Sequence, residues 1–422
     1  MIKRLLPKSK FARNVITLMT GTALAQALPI AITPILTRMY TPEEFGVFAV
    51  YMAICSILAV LVTGRYELAI IVPEQDEDAI NIMALSMLLS FIISFALFLV
   101  VFFAGNNISM LLGNESVSDW LYFVPLTTLV MGCYQSLNYW ANRRSHYKRM
   151  AASRVLQTAS TSAVQLSTGL FRVGSLGLIL GQFFGQLISV FFLARSVLSQ
   201  EKEQVSKINK KKIFEVAKRY KNFPKYLIVA HGFNTGSSQA PVILLSSLFT
   251  TAASGLYMLT NRVLSAPITL VASAIGDVFR QQASKEYAQT GQCKTLYLET
   301  LKKLILLSFI PFSFLFFYSE EIFSLAFGEN WAEAGLIAKI LMPVFFLRFV
   351  SGPLSSMFMI AEVQKLDLLW QIGLFFLVIC SFLVAYYLSN RNLAFYLFSF
   401  SYCFMFLINL YMSASLAFGK FK

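Results

Sequence analysis

The sequence predicts an all-α integral membrane protein with twelve transmembrane helices. Twelve apolar stretches, each close to the roughly 20 residues that cross a bilayer, fill most of the 422-residue chain. Hydrophobic residues make up 57% of the chain and charged residues only 13%, about half the charged share of an ordinary soluble protein. Lipid rather than water is therefore expected to surround most of its surface.

The predicted spans follow one another along the chain with mostly short connections. None alternates apolar and polar residues with a period of two, and unpaired backbone groups in lipid are too costly for open strands, so we expect helices rather than a barrel. The fifth span is the most polar and the ninth is the shortest. The spans are 14–36, 44–64, 79–103, 120–141, 155–171, 174–194, 226–249, 254–276, 304–318, 335–361, 367–388 and 393–418.

The positions of Lys and Arg test this topology, because cytoplasmic loops of membrane proteins are enriched in them. With the N-terminus in the cytoplasm, 29 of the 35 basic residues fall in inner segments and 3 in outer loops. A missed span would reverse every later loop, so the asymmetry supports an even number of spans and two cytoplasmic termini. The net charge of +14 follows from this topology and does not indicate a nucleic-acid partner. The three lysines at 210–212 are expected to attract anionic membrane lipids.

The sequence predicts no metal site, no cofactor and no disulfide framework. Four of the five cysteines lie in predicted spans, no CxxC pair occurs, and the chain has only two histidines. The first apolar stretch runs on to Leu36, which is longer than the apolar region of a signal peptide, so we expect an uncleaved first span.

The longest polar connection divides the chain into two lobes. We predict a six-helix N-terminal lobe at 1–198, a basic cytoplasmic linker at 199–225 and a six-helix C-terminal lobe at 226–422. Because six is even, both lobes should have the same orientation and be related by a pseudo-two-fold axis along the membrane normal, as in transporters built from parallel repeats. A short internal repeat supports the division: Leu36, Tyr40, Thr41, Gly46 and Phe48 align at constant offset with Leu245, Phe249, Thr250, Gly255 and Tyr257.

Several spans carry polar side chains at helical spacing, which places them on one face of each helix. Such a face either joins helices through hydrogen bonds or lines a hydrated cavity, and six of them together favour a large cavity. Arg38, after the first span, adds a cationic candidate. The polar candidates for contact with a substrate are Gln26, Asn138, Gln165 and Asn234.

Two arginines inside predicted spans indicate the charge of the substrate. Arg348 lies thirteen residues into the tenth span, where an arginine costs about 2.5–3.5 kcal/mol on insertion scales. Arg262 lies nearer the outer side of the eighth span, on a face shared with Thr269 and Ser273. Arginine binds phosphate through a planar fork of hydrogen-bond donors, and no acidic residue is central in any predicted span. We therefore expect an anionic substrate. The alternative is that the arginine pairs with a carboxylate or a carbonyl group at a helix end. His231 is either a proton-coupling residue or a buried structural imidazole.

Four stretches give the chain a family resemblance. They are the basic N-terminus, the segment 37–48 (Thr-Arg-Met-Tyr-Thr-Pro-Glu-Glu-Phe-Gly-Val-Phe), the basic loop 142–147, and the segment 327–335 that contains Phe-Gly-Glu-Asn-Trp and Ala-Gly. With these motifs the chain resembles bacterial polysaccharide-repeat (O-antigen type) flippases of the multidrug/oligosaccharidyl-lipid/polysaccharide exporter superfamily. The layout matches over essentially the whole chain, and the Thr-Pro-Glu-Glu-Phe-Gly stretch is the most specific motif.

The resemblance implies a transporter rather than an enzyme, with two lobes around a central cavity and alternating access. The implied substrate is undecaprenyl-pyrophosphate-linked oligosaccharide, turned from the cytoplasmic to the periplasmic leaflet of the bacterial inner membrane for O-antigen or capsular polysaccharide assembly. A polysaccharide polymerase and chain-length machinery are the further partners that it suggests. Cationic cavity residues of such flippases are thought to hold pyrophosphate or acidic sugars, and Arg262 and Arg348 occupy places suited to that role.

Two other classes of protein are alternatives. A drug/cation antiporter of the same superfamily would need a membrane-buried carboxylate, and none is central in a predicted span. A membrane polysaccharide polymerase would present large outer loops, whereas the longest predicted outer loop, 104–119, contains no Lys, Arg or His.

Overall fold

A computed structural model describes residues 10–111 and 118–419, and this part of the chain is almost entirely helical. The first nine residues of the basic N-terminus, residues 112–117 of the longest predicted outer loop, and residues 420–422, which include Lys420 and Lys422, lie outside the described residues.

The first half of the chain contains the helices that correspond to the first six predicted spans. These are α1 (Lys10–Met39), α2 (Pro42–Val62), α3 (Asp76–Leu111), α4 (Ser118–Leu121), α5 (Phe123–Arg143), α6 (Tyr147–Leu170) and α7 (Ser175–Gln200). All but α4, a single turn, coincide with a predicted span. A 3-10 helix, Tyr66–Ile71, connects α2 to α3.

The second half follows after a polar segment that is itself helical. This segment contains α8 (Lys202–Val205), α9 (Lys210–Arg219) and a π turn, Phe223–Leu227. The remaining helices are α10 (Ile228–Leu248), α11 (Thr251–Pro267), α12 (Ser273–Thr290), α13 (Lys294–Phe327), α14 (Ala332–Leu354), α15 (Met357–Ile360), α16 (Gln364–Tyr387) and α17 (Arg391–Ala417). A second π turn, Ile268–Ala272, joins α11 to α12 without a break, and a 3-10 turn, Glu329–Trp331, precedes α14.

Within the described ranges, nine helical segments are long and apolar enough to cross a membrane. The chain is therefore a multi-pass membrane protein. The other three predicted spans correspond to α5, α6 and α10, which are long helices with many polar residues, so for these three the crossing of the membrane remains a prediction.

The shortest predicted span, 304–318, lies within a longer helix. The structure has one 34-residue helix there, α13. Its outer turns carry Lys302, Lys303, Glu320 and Glu321, which lower the hydropathy without interrupting the helix. Hydropathy marks only the part of a helix that suits lipid, so the predicted span is shorter than the helix that contains it.

The contacts divide the chain into two compact units. Unit 1 comprises Met1–Tyr40 and Val47–Thr235, and unit 2 comprises Thr41–Gly46 and Gly236–Lys422. The division falls within α10, whereas the predicted boundary falls just before that helix. The domains 1–198, 199–225 and 226–422 remain a prediction.

Unit 1 has a core in which α9 takes part. Val216 and Tyr220 pack into a buried cluster with Ile80 of α3 and Trp140 of α5. The indole Nε1 of Trp140 donates to Oε2 of Glu201 at 3.0 Å. The segment predicted as a linker is therefore folded against α3, α5 and α7 over this stretch.

Unit 2 is organised around α14, which packs against α11, α12, α13 and α17. Hydrogen bonds join it to two of these neighbours: Thr260 of α11 donates to the carbonyl of Ala334 at 2.9 Å, and Ser399 of α17 donates to the carbonyl of Ile340 at 2.8 Å. Most side chains of α14 are buried, as expected for the central helix of a bundle.

The internal repeat forms the same local structure twice. Thr41 Oγ1 accepts from the backbone nitrogen of Glu44 at 3.2 Å, while Glu44 Oε2 accepts from the backbone nitrogen of Thr41 at 2.7 Å, a capping box at the start of α2. At the equivalent place, Thr250 Oγ1 accepts from the backbone nitrogen of Ala253 at 3.2 Å and caps α11. The aligned threonines are thus both helix caps.

Candidate functional site

Arg348 is an exposed cation on the most central helix of unit 2. Exposed here means not covered by protein, whether water or lipid faces the group. Arg348 and Gly352, one helical turn apart, are both exposed although Phe349 and Val350 beside them are buried. A methyl group added at Gly352 would meet no other atom within 4 Å. The face of α14 that carries Arg348 and Gly352 therefore opens onto free space.

The surroundings of Arg348 are aromatic rather than acidic. Tyr257 of α11 and Tyr402 of α17 lie close enough to interact with its charge. None of the salt bridges in the described part of the chain includes Arg348. The alternative of pairing with a helix-end carboxylate is thus not realised in this structure, and the guanidinium remains able to bind an added anion.

Arg262 lies in the same unit, on a helix that packs directly against α14. It is half-buried near the middle of α11. The hydrogen bond from Thr260 to Ala334 holds α11 against α14 in this region. The two arginines inside predicted spans, Arg262 and Arg348, are therefore carried by two helices that pack against each other.

The remaining predicted substrate residues lie in unit 1. Gln26 is half-buried on α1, and Asn234 is exposed on α10. Arg38 is exposed in the last turn of α1 rather than in a loop, and its Nη1 donates to the carbonyl of Pro34 at 2.7 Å. Asn138 is half-buried on α5, and its Oδ1 is enclosed without a hydrogen-bond partner among the described residues.

The surroundings of Gln165 indicate a role in packing helices together. It is buried, and its Nε2 donates to the carbonyl of Leu178 on α7 at 3.1 Å. The backbone carbonyl of Gln165 accepts from the hydroxyl of Tyr40 at 2.7 Å. Since its donor and its backbone both join helices, we leave Gln165 out of the proposed substrate site.

A buried ion pair lies in unit 1 at the turn between α2 and α3. Glu67 is 0% exposed, and its Oε1 lies 3.2 Å from Nη1 of Arg65. Neither Glu67 Oε2 nor Arg65 Nε has a hydrogen-bond partner among the described residues. Arg65 has φ +58°, a left-handed conformation that is uncommon for residues other than glycine. A fully buried carboxylate with one unsatisfied oxygen is costly unless it binds a further group.

His231 belongs to the neighbourhood of this pair. Both Arg65 and Glu67 lie within electrostatic reach of His231 on α10 and of Tyr139 on α5. We refer to Arg65, Glu67, Tyr139 and His231 as the charged cluster. A carboxylate and an imidazole near each other can bind a proton or a small cation. Both predicted roles of His231, proton coupling and a structural imidazole, stay predictions.

Sequence reasoning gave Glu67 no role, because this carboxylate is not central in any predicted span. The sequence feature that could have indicated its role is the segment 65–72 (Arg-Tyr-Glu-Leu-Ala-Ile-Ile-Val), where a single carboxylate precedes an unbroken run of apolar residues. For metal ions, no group of three His, Cys, Asp or Glu side chains suited to one occurs within residues 10–111 and 118–419.

The fold is that of membrane transporters of the multidrug/oligosaccharidyl-lipid/polysaccharide superfamily. An inward-facing multidrug-resistance transporter of the MATE family is similar with a TM-score of 0.68 over 94% of this chain and 93% of its own, at 11% identity. The MATE multidrug transporter DinF-BH is similar with a TM-score of 0.65 over 94% and 93%, at 14% identity. A transporter of the same superfamily from Pyrococcus furiosus, described as having a binding pocket of reverse polarity, is similar with a TM-score of 0.63 over 96% of both chains, at 12% identity.

The chain belongs to the polysaccharide biosynthesis protein family, whose model matches residues 35–335. The succinoglycan biosynthesis transport protein ExoT of Rhizobium meliloti (strain 1021) is 23% identical over 329 residues, which are 76% of this chain and 63% of ExoT. The chain thus spans less than two thirds of that relative's length. The family resemblance predicted from the sequence is confirmed.

Proposed function

We propose that the protein flips undecaprenyl-pyrophosphate-linked oligosaccharide repeat units from the cytoplasmic to the periplasmic leaflet of a bacterial inner membrane by alternating access. The observation that carries the proposal is Arg348, an exposed arginine on the central helix of unit 2 that has no acidic partner among the described residues. The family of the chain and its relation to a succinoglycan transport protein support a glycan substrate for O-antigen or capsular polysaccharide assembly.

Arg348 and Arg262 bind the pyrophosphate in this proposal. Two guanidinium groups satisfy a pyrophosphate through forked hydrogen bonds that an ammonium group does not reproduce. Gln26, Asn138 and Asn234 offer amide groups to the glycan, while the polyprenyl tail stays in lipid. The transporter thereby lowers the cost of carrying charged and polar groups across the hydrocarbon.

The experiment compares variants in a strain that lacks the gene. We expect deletion to accumulate lipid-linked oligosaccharide on the inner leaflet and the intact gene to restore export. Arg348→Ala should abolish restoration at an unchanged protein level, and Arg348→Lys should restore only part of it. Lys339→Ala is the matched control, because Lys339 lies on the same helix and its Nζ pairs with Glu320 at 3.3 Å. Full export by Arg348→Ala would remove this site assignment.

The charged cluster is proposed to couple transport to an ion. Glu67 Oε2 is the binding atom, because it is buried without a partner among the described residues, and His231 adjusts the charge around it. Purified protein in liposomes should take up protons or a monovalent cation when substrate moves. Glu67→Gln should remove that uptake while pyrophosphate binding at Arg348 persists.

The topology proposed here has twelve spans, two six-helix lobes related along the membrane normal, and both termini in the cytoplasm. Reporter fusions after α5, α6 and α10 test the three polar spans directly. Adjacent fusions should alternate between active and inactive reporters. A reporter pattern that skips one of these helices would change the topology.

A drug/cation antiporter is the second candidate, and Glu67 is the observation that favours it, because such an antiporter needs a buried carboxylate. Overexpression in a drug-sensitive strain separates the two functions. Raised resistance to cationic drugs together with normal polysaccharide export in the deletion strain would favour the antiporter.

A further inference from the structure

The short helix α9 is held firmly on unit 1 by one of its faces. Val216 and Tyr220 are buried, and the hydroxyl of Tyr66 donates to the carbonyl of Ala217 at 2.9 Å. Asn209 caps the helix, since its Oδ1 accepts from the backbone nitrogen of Lys211 at 2.9 Å. The orientation of α9 is therefore fixed by the fold.

Ion pairs fix α9 at the first turn of α3. Asp78 accepts from Nη1 of Arg219 at 3.2 Å and lies 4.0 Å from Nζ of Lys212. The segment Asp76–Gly105 is long and apolar enough to cross a membrane. Because Asp78 lies at the very start of that segment, α9 lies where a membrane span begins.

The opposite face of α9 combines an exposed aromatic ring with lysines. Phe214 is 74% exposed. Lys210, Lys211 and Lys218 are exposed at positions −4, −3 and +4 from it, which places them around Phe214 on one side of the helix. Lys221 is also exposed and lies two residues beyond the end of α9. None of these four lysines takes part in a salt bridge in the described part of the chain. We call this surface the lysine face.

We propose that the lysine face binds the surface of anionic phospholipids, with Phe214 inserted at the boundary between headgroups and acyl chains. A large apolar side chain ringed by lysines on an amphipathic helix is the pattern of helices that lie in the membrane interface. The four lysines supply the charge that complements anionic headgroups. Lys212 and Arg219, by contrast, neutralise Asp78 and orient the helix. This inference does not depend on which substrate the protein transports.

The test measures how deeply position 214 lies in the bilayer. A nitroxide is attached through Phe214→Cys in full-length protein whose native cysteines are replaced, and the protein is placed in nanodiscs of phosphatidylcholine with or without phosphatidylglycerol. We expect the ratio of oxygen to nickel-chelate accessibility at position 214 to rise when phosphatidylglycerol is present. The control is Glu203→Cys on α8, an 82% exposed side chain, where the ratio should stay at its aqueous value in both lipids.

A second variant tests the contribution of charge. Replacing Lys210, Lys211, Lys218 and Lys221 with glutamine should abolish the rise at position 214, while the contacts of Asp78 and Val216 keep the fold and the unfolding temperature unchanged. A nitroxide at 214 that is equally water-accessible in both lipids would overturn the proposal. So would equal insertion in both lipids, or protection that appears only after a soluble protein fraction is added.

Discussion

Gly46 and Gly255 approach each other so closely at the starts of α2 and α11 that neither position has room for a β-carbon. A β-carbon on Gly255 would lie 1.8 Å from the carbonyl oxygen of Pro42 and 2.8 Å from the nitrogen of Gly46, and one on Gly46 would lie 1.9 Å from the carbonyl oxygen of Thr251. The two glycines are equivalent positions of the internal repeat. Unit 2 therefore contains a backbone-to-backbone contact between the two copies of the same helix start.

Alanine at either glycine should destabilise the protein. The added methyl group meets backbone atoms that cannot rotate away, and overpacking of this kind typically costs about 1–3 kcal/mol. Gly46→Ala and Gly255→Ala should each lower the unfolding temperature in detergent. Gly232→Ala is the control, because no atom lies within 4 Å of its added methyl group and alanine favours a helix by about 1 kcal/mol. Equal unfolding temperatures for all three variants would contradict the close contact.

Removal of Glu67 alone should be more harmful than removal of the whole ion pair. Glu67→Ala leaves Arg65, whose side chain is 12% exposed, without its counterion, at a cost of about 3–5 kcal/mol. The double variant Arg65→Met/Glu67→Leu should recover most of the unfolding temperature. We expect both variants to lose ion-coupled transport. This result would distinguish an ion-coupling site from an ion pair that is purely structural. Fully ion-coupled transport by the stable double variant would count against an ion site at Glu67.

His146 should make the protein less stable in acid. Burial, with the Arg149 guanidinium at 3.1 Å, lowers the pKa of His146 below its ordinary value, although Glu201 at 3.4 Å opposes the shift. The unfolded chain then binds a proton more readily than the folded one, so stability falls as pH drops through about 6.5 toward the folded pKa. The unfolding temperatures measured at about pH 7.5 and 5.5 should differ less for His146→Gln than for the natural chain. If this difference in unfolding temperature were the same for both proteins, His146 would not contribute to it.

Cys293 should resist alkylation in the folded protein. Burial, reinforced by Glu286, raises the pKa of its thiol to about 11, which leaves about one thiolate in ten thousand at neutral pH. The side chain is also fully buried, with Sγ 3.6 Å from Sδ of Met357. A thiol reagent should label Gln292→Cys, the exposed neighbour, but label Cys293 only after denaturation; rapid native labelling at Cys293 would contradict this packing.

Much of the fold could be predicted because lipid imposes a simple rule on sequence. The helix that contains Arg348 followed from hydropathy, since the predicted span 335–361 covers most of α14. The charged cluster could not be predicted, because Glu67 and His231 are 164 positions apart in the sequence and only tertiary packing brings them close. Gln165 had the spacing of a cavity residue, yet a polar side chain on a helix face serves packing or substrate equally well. Composition could likewise not reveal that a basic connection packs on a core through Val216.

The π turn at Ile268–Ala272 has a practical consequence for mapping the long helix from Thr251 to Thr290. These five residues are wound more loosely than an α-helix. The side chains beyond them are therefore rotated about the helix axis by about a quarter turn from the positions that an ideal α-helical wheel gives. Ser273 is therefore not in line with Arg262, as the regular spacing had suggested. Positions for cross-linkers and labels should be chosen from two separate helical wheels, one before and one after Pro267. A single helical wheel would assign the later positions to the wrong side of the helix.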